Sequence, residues 1–416
     1  MKLKNKFILM FSSYLGLPKE IYILFLGKII NCIGSFIYPL LSLILINKIG
    51  LSISQAGEFV TFLALLQAPC VLVGGKLVDS IGRKKVILIF QGLSACTFII
   101  CGFLPLSNAL TKFILLASCF SSVSSPAYDA LVADITTSEN RKNSFSLIYI
   151  GLNLGFAIGP LLGGLLFNNY LSLIFIGDGI TTLIYLLLIG YFIKDTKPNL
   201  LESCINENNS SFEKSENCSV FKIFLKRPIL IYYSLLMLTF HFAYSQWGFA
   251  VPIQLNDIFS TNGAKYFGFL SSFNGLIVIL FTPIITIITK KYRMLSIISS
   301  GGLFYSLAFG LCYFASNLFL FFIIVTIMTI GEISIATNSQ TFIANLSSSS
   351  HRGRINSILP LLYGTGNGIG PIIMGRMISG VGIKQAWLIV SLIVGIGGIL
   401  MYLLNYINIS SYNTNQ

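Results

Sequence analysis

Gly75-Lys76-Leu77-Val78-Asp79-Ser80-Ile81-Gly82-Arg83-Lys84-Lys85 ends one long apolar run and leads into the next. The flanking runs, 55–78 and 86–106, are each close to the ~20 residues that cross a bilayer as a helix. A loop this short makes the two helices antiparallel. Gly82 permits the tight turn and Gly75 a close helix approach. Asp79 is the one acid among the bases Arg83, Lys84 and Lys85.

Outward from this loop, the same alternation of apolar run and short polar gap fills the chain. Runs at 22–46, 110–133, 144–167 and 170–193 complete a first set of six. A second set follows at 229–252, 266–289, 295–315, 318–341, 355–379 and 385–407. None shows the period-two alternation of a membrane barrel. The fold class is therefore an all-α membrane protein of twelve transmembrane helices. Composition agrees: 55% of the 416 residues are hydrophobic and 10% charged, against about 25% charged in soluble domains. A water-soluble enzyme is excluded. The chain also lacks a nucleophile–base set, metal-ligand spacing and a phosphate loop, so no enzymatic activity is expected.

Of the eight cysteines, six lie inside apolar runs and none forms a CxxC, which reads as small buried apolar side chains. The two histidines, His241 and His351, stand far apart. Neither a metal nor a cofactor is expected. The 27 Lys and Arg residues exceed the 14 acids. They sit in the gaps between runs, which marks membrane topology and not nucleic-acid binding. With the N-terminus in the cytoplasm, 21 basic residues fall on that side and only Lys48, Lys112, Lys265 and Lys384 on the other. Both termini are expected in the cytoplasm, in a multi-pass protein of the plasma (inner) membrane. Residues 7–17 read as a retained interfacial segment, since no small-x-small cleavage site follows them.

The polar stretch 194–227 separates a bundle at 1–193 from one at 228–416 and reads as a cytoplasmic linker. The halves align at one offset. Adding 211 to Ala133-Asp134, Arg141, Gly155, Gly159, Pro160 and Gly164 gives Ala344-Asn345, Arg352, Gly366, Gly370, Pro371 and Gly375. Two pseudo-symmetric six-helix bundles follow. A parallel repeat of this kind suits a transporter whose halves rock about a midplane site.

The GxxxDxxGRKK loop at Gly75–Lys85 resembles the signature loop of the major facilitator superfamily. That resemblance implies that Asp79 faces the start of span eleven, near residues 353–356, and that Arg83 pairs with Asp134 at the end of span four. A carboxylate at a helix N-terminus gains about 0.3–1 kcal/mol. Span five, with Gly151, Gly155, Gly159-Pro160, Gly163 and Gly164, resembles the motif of the superfamily's antiporters. Its fourth-residue glycines leave one smooth helix face. Residues 126–164 are similar to twelve-span drug:proton antiporters, without the mid-span-four arginine those often carry. The ExxER motif of peptide symporters and the PESPR-type signature of sugar porters are absent.

Charges inside a bilayer cost ~2.5–3.5 kcal/mol on insertion scales and ask for a partner or a task. Lys28, Asp129, Asp178 and Glu332 stand out as proton-coupling candidates. Glu332 leads, because its repeat mate Ser121 lies near the middle of span four and span ten lines the cavity in this family. Desolvation disfavours the charged form of a carboxyl, which suits proton exchange. Lys28 can snorkel to the inner face or act as counter-charge to Asp129 or substrate. Asp178, between Gly177 and Gly179, suits a structural role. His241, Tyr244, Gln246 and Trp247 on span seven and Asn274 on span eight would form an aromatic and amide lining for substrate.

The expected function is proton-coupled efflux of drugs or amphiphilic small molecules by alternating access, from a chain acting as a monomer. Proton-coupled import of a small metabolite is the rival. The expected partners are substrate, protons and lipid, with no nucleic acid.

Overall fold

The structure, a computed structural model, describes residues 14–137, 139–196, 228–346 and 352–413. Side chains at 228, 340–341, 344–346, 352–361 and 406–413 are outside the description. Among the described residues there is no strand, and the helices group into twelve membrane-length stretches. The first half holds Lys19–Lys48, Ile53–Ile81, Arg83–Cys101, Asn108–Ile135, Arg141–Leu166 and Leu171–Phe192. The second holds Pro228–Phe259, Gly263–Thr289, Met294–Leu311, Leu318–Leu346, Arg352–Val381 and Ile383–Asn413. They are called spans one to twelve below. Large apolar side chains such as Leu72, Leu187, Phe319 and Leu392 are more than half exposed on these helices. In water that surface would drive aggregation, whereas against lipid it has no cost.

Span one is not continuous. It is α-helical over Lys19–Ile33, breaks, and resumes over Ile37–Leu43, ending in a π-helical turn at Ile44–Lys48. Pro69, Pro126, Pro160, Pro252 and Pro283 lie inside the second, fourth, fifth, seventh and eighth helices.

The chain divides into two compact units, Met1–Leu41 with Phe62–Ser210, and Ser42–Thr61 with Ser211–Gln416. In the first unit, span one packs on spans five and six, and span three on four and six. Leu24, Val78, Ile87, Leu131, Tyr185 and Ile189 form part of its core. The second unit repeats the scheme, with seven on eleven and twelve, and nine on ten and twelve. There Trp387 lies parallel to Phe309 at 5.5 Å. The shared relations of these helices are what the 211-residue duplication dictates, because corresponding helix faces carry corresponding small residues.

The second unit takes in the short connection between spans one and two, Ser42–Thr61. Within it Asn47 donates to Asn256 Oδ1 at 2.8 Å, the Ile372 N–H donates to Thr61 Oγ1 at 3.2 Å, and Arg376 pairs with Glu58 at 3.3 Å.

Of the linker expected at 194–227, residues 197–227 lie outside the described residues, as do residues 1–13 of the N-terminal segment.

Candidate functional site

The Gly75–Lys85 loop is built around one positive-φ residue. Gly82 has φ 99° and ψ 157°, a region essentially closed to side-chain-bearing residues. The turn delivers Arg83, buried at 9% exposure, onto span four. Its Nε lies 2.9 Å from Asp134 Oδ2, while Asp79 is 3.9 Å away and largely exposed. The expected partner of Asp79, at 353–356, lies where side chains are outside the description.

Arg141 meets no acid among the described ion pairs. Its guanidinium instead donates to the carbonyls of Ala133 at 3.1 Å and Thr136 at 3.2 Å, closing the loop between spans four and five. The close approach expected of Gly75 is made one residue earlier. Among the described residues a Cβ at Gly75 would meet nothing within 4 Å, whereas one at Gly74 would run into the Val123 backbone.

Two residues read as linker complete this cluster. Thr196 donates its hydroxyl to Asp134 Oδ2 at 2.9 Å, and Asp195 accepts from the Lys84 N–H at 3.3 Å. The Lys84 ammonium donates to the Gly190 carbonyl at 2.7 Å. The end of span six is thereby stitched to the loop between spans two and three.

Span five turns its glycines onto span one. A Cβ at Gly151 would stand 3.1 Å from the Phe25 carbonyl oxygen, one at Gly155 2.9 Å from that of Ile29, and one at Gly159 2.6 Å from that of Cys32. A Cβ at Gly163 would stand 3.3 Å from Phe36 Cβ. Gly164 and Pro160 are buried with them. The second unit repeats the approach, with Gly366 against Leu238 and Phe242, and Gly370 against Ser245 and Gln246.

Glu332 lies on a cavity of about 250 Å³ in the second unit, lined also by His241, Tyr244, Tyr305, Ser339 and Tyr363. Tyr244 donates to Glu332 Oε1 at 2.9 Å and Asn274 to Oε2 at 3.1 Å, with Asn274 also donating to Thr329 Oγ1 at 2.8 Å. Both carboxyl oxygens are therefore held by neutral donors, and the described ion pairs give Glu332 no basic partner. The Tyr363 ring stacks on His241 at 4.8 Å, and Tyr305 on Tyr244 at 6.1 Å.

Gln246 and Trp247 do not join this cavity. Gln246 is fully buried and donates to the Phe242 carbonyl at 2.8 Å, and Trp247 packs on Phe267 at 5.2 Å. Gln246 is turned about 200° from Tyr244 on the helix and so faces away from the cavity, while Trp247 lies a further turn along the span from His241 and Tyr244. Tyr305 and Tyr363, absent from the sequence reading, take their place.

A second cavity, about 220 Å³, lies in the first unit and holds Lys28, Asp129, Tyr128, Tyr149, Leu152 and Tyr185 among its lining. The Lys28 ammonium stands 5.7 Å from the Tyr128 ring centre, and Tyr128 stacks on Tyr185 at 5.6 Å. The two cavities correspond through the repeat. Tyr128 and Leu152 become Ser339 and Tyr363 on adding 211. Asp178 lines neither. It is buried, at 7% exposure, on the side of span six that faces the interruption of span one.

A family model described as Major Facilitator Superfamily matches residues 24–311 and 260–409. A Na(+), Li(+), K(+)/H(+) antiporter of Planococcus maritimus is 24% identical over 357 residues, covering 81% of this chain and 84% of the relative. Multidrug resistance protein MdtH of Proteus mirabilis is 25% identical over 362 residues, 84% of each chain. Among solved structures, a POT family transporter in complex with a thioalcohol-conjugated peptide superposes with a TM-score of 0.78 at 15% identity, over 94% of this chain and 97% of that one. These are folds and families of membrane transporters, not of enzymes. With twelve spans, a duplicated helix scheme and a family match running almost end to end, the chain belongs to the major facilitator superfamily of secondary transporters.

Proposed function

We propose that this transporter exports amphiphilic, drug-like compounds from the cytoplasm across the plasma membrane in exchange for protons, with both termini inside. The observation that carries the reading is the Glu332 carboxyl. It sits at mid-helix on an aromatic-lined cavity, held by Tyr244 and Asn274. A carboxyl without a cationic partner in a membrane is a functional group by default. It can exchange a proton against a ligand that occupies the same cavity. The tyrosine and histidine rings offer planar contact to a bulky apolar body. Lys28 and Asp129 form a second charged group in the other unit, suited to substrate contact or proton passage. The 1–193 and 228–416 bundles are the moving parts, and the Asp79–Arg83–Asp134 loop biases their two arrangements. The similarity to MdtH supports the drug reading.

A second reading is favoured by one observation, the similarity to the Na(+), Li(+), K(+)/H(+) antiporter. In that reading a monovalent cation takes the place of the drug. The full chain in liposomes, with a pH gradient imposed and a pH dye inside, separates the two. Ethidium-triggered proton movement supports drug exchange. Movement triggered by Na+ or K+ supports cation exchange. Ethidium accumulation in whole cells in step with proton entry supports import. A gradient unmoved by all three overturns the proton-coupled account.

A further inference from the structure

Lys28 and Asp129 face one cavity without pairing. Both line the space of about 220 Å³ in the first unit, Lys28 from span one and Asp129 from span four. The described ion pairs, which reach to 4 Å, include neither of them. Opposite charges attract strongly where the dielectric is low, so a base and an acid that stay apart inside a membrane ask for a reason.

Local packing supplies the reason. A Cβ at Gly27 would overlap the Tyr185 ring, so the bare position beside Lys28 lets that ring up to span one. Tyr185 is buried and stacks on Tyr128 at 5.6 Å. The Lys28 ammonium stands 5.7 Å from the Tyr128 ring centre, where the ring face attracts it. Asp129 is turned about 100° from Tyr128 on span four, so the ring and not the carboxylate covers the ammonium. Phe145 and Tyr149, one turn apart on span five, extend the aromatic wall and are 37% and 58% exposed.

The repeat separates what packing requires from what a ligand requires. Gly155 of span five lies against Ile29 and Cys32, and its mate Gly366 lies against Leu238 and His241. Leu238 and His241 each follow Ile29 and Cys32 by 209 residues. At that register the mate of Lys28 is Met237, which lines the second cavity as Lys28 lines the first. The acid of the second cavity, Glu332, likewise answers to the neutral Ser121. The duplicated scaffold accepts an uncharged side chain at either place, so these charges serve something other than the scaffold.

We propose that the first-unit cavity recognises the dipolar head of an aromatic zwitterion, with Lys28 taking a carboxylate and Asp129 a protonated amine. A simple anion would meet Asp129 in the same space, and a simple cation would meet Lys28, and like charges disfavour each. A molecule carrying both signs satisfies both side chains. The cavity is smaller than the ~300–1,000 Å³ of drug-sized sites, so it holds a head group, and the apolar body lies against Tyr149 and Phe145. The proposal rests on the drug-export reading and names the class of amphiphile within it.

Nε-dansyl-L-lysine carries both charges on a fluorescent aromatic body. Monodansylcadaverine is the same molecule without the carboxylate, and the Nα-acetyl derivative lacks the charged amine. The three are titrated onto the full chain in lipid nanodiscs without a proton gradient, with empty nanodiscs as the blank. The parent is expected to bind the zwitterion about tenfold or more tighter than either derivative. Lys28→Met, the residue of the repeat mate, should remove the preference over monodansylcadaverine and leave that cation's own affinity no weaker than about threefold below the parent. Asp129→Asn should remove the preference over the acetyl derivative in the same way. A parent that binds none of the three, or all alike, overturns the proposal. So does a Lys28→Met chain that keeps the preference or loses the cation as much as the zwitterion. If Lys28→Met does not fold, the parent's ranking and Asp129→Asn decide. The two readings fail separately. Zwitterion preference without gradient-driven ethidium movement refutes export alone, and ethidium export by a chain that binds the three probes alike refutes this site alone.

Discussion

Arg83 Nε stands 2.9 Å from Asp134 Oδ2, and the Thr196 hydroxyl donates to that same oxygen at 2.9 Å. One carboxylate thus joins the turn after span two, the end of span four and the end of span six. Arg83 is almost entirely buried, while the Asp134 side chain is 30% exposed. Removing one partner of a fully buried pair costs about 3–5 kcal/mol. Partial solvation of Asp134 brings Arg83→Ala down to about 1–3 kcal/mol. A double-mutant cycle with Asp134→Ala, read as thermal stability in detergent, should give a coupling of about 1 kcal/mol or more. Arg83→Lys should recover less than half of it, because one ammonium replaces a guanidinium that meets Asp134 through Nε and the Val78 carbonyl through Nη1.

Gly82 allows a separate test of the same turn. At φ 99° and ψ 157°, an alanine carries a strain of about 1–3 kcal/mol. Its Cβ would also stand 3.0 Å from the Asp195 carboxylate. Gly82→Ala should lower transport turnover and thermal stability together. Gly75→Ala, whose Cβ meets none of the described residues within 4 Å, should leave stability unchanged to within about 0.5 kcal/mol. Equal effects at the two positions would refute the turn argument.

The span-five glycines should respond in proportion to what they touch. Gly159→Leu forces a side chain against the Cys32 and Ile33 carbonyls, an overpacking cost of about 1–3 kcal/mol or more. Folded yield in the membrane should fall. Gly370→Leu should behave alike, because Gly370 meets Ser245 and Gln246 on span seven. Fluorescence size-exclusion chromatography of the two variants checks both at once.

Asp195→Ala and Thr196→Val probe the stitched end of span six. Each removes one hydrogen bond of this cluster, worth about 0.5–1.5 kcal/mol net. Thermal stability should drop by that amount in each. The Arg83–Asp134 coupling should weaken only in Thr196→Val, the substitution that touches Asp134.

These residues also show what a sequence can and cannot disclose. Hydropathy marks the twelve spans because a bilayer demands an apolar run for each crossing. The 211-residue offset reports the duplication, and the neighbour scheme of the two units repeats with it. The glycine face of span five is visible as a period of four, but not its partner, since periodicity says which side is smooth and not what lies against it. The break at Gly34 is invisible in an apolar run, because hydropathy does not register hydrogen bonding. Asp195 and Thr196 read as linker, since polar residues beside a polar stretch carry no sign of docking. Gly74 and Gly75 are interchangeable in a motif, yet one residue turns a helix by 100° and reverses which of them is packed. Tyr305 and Tyr363 reach Glu332's cavity from spans nine and eleven, a convergence that only folding creates.

Proton-coupled export through Glu332 is tested most directly in everted membrane vesicles with an acidic interior, by following ethidium uptake. The parent chain should accumulate ethidium, lose that ability when a protonophore collapses the gradient, and lose it equally in Glu332→Gln at unchanged protein level. Gradient-driven uptake of undiminished rate in Glu332→Gln would contradict the account.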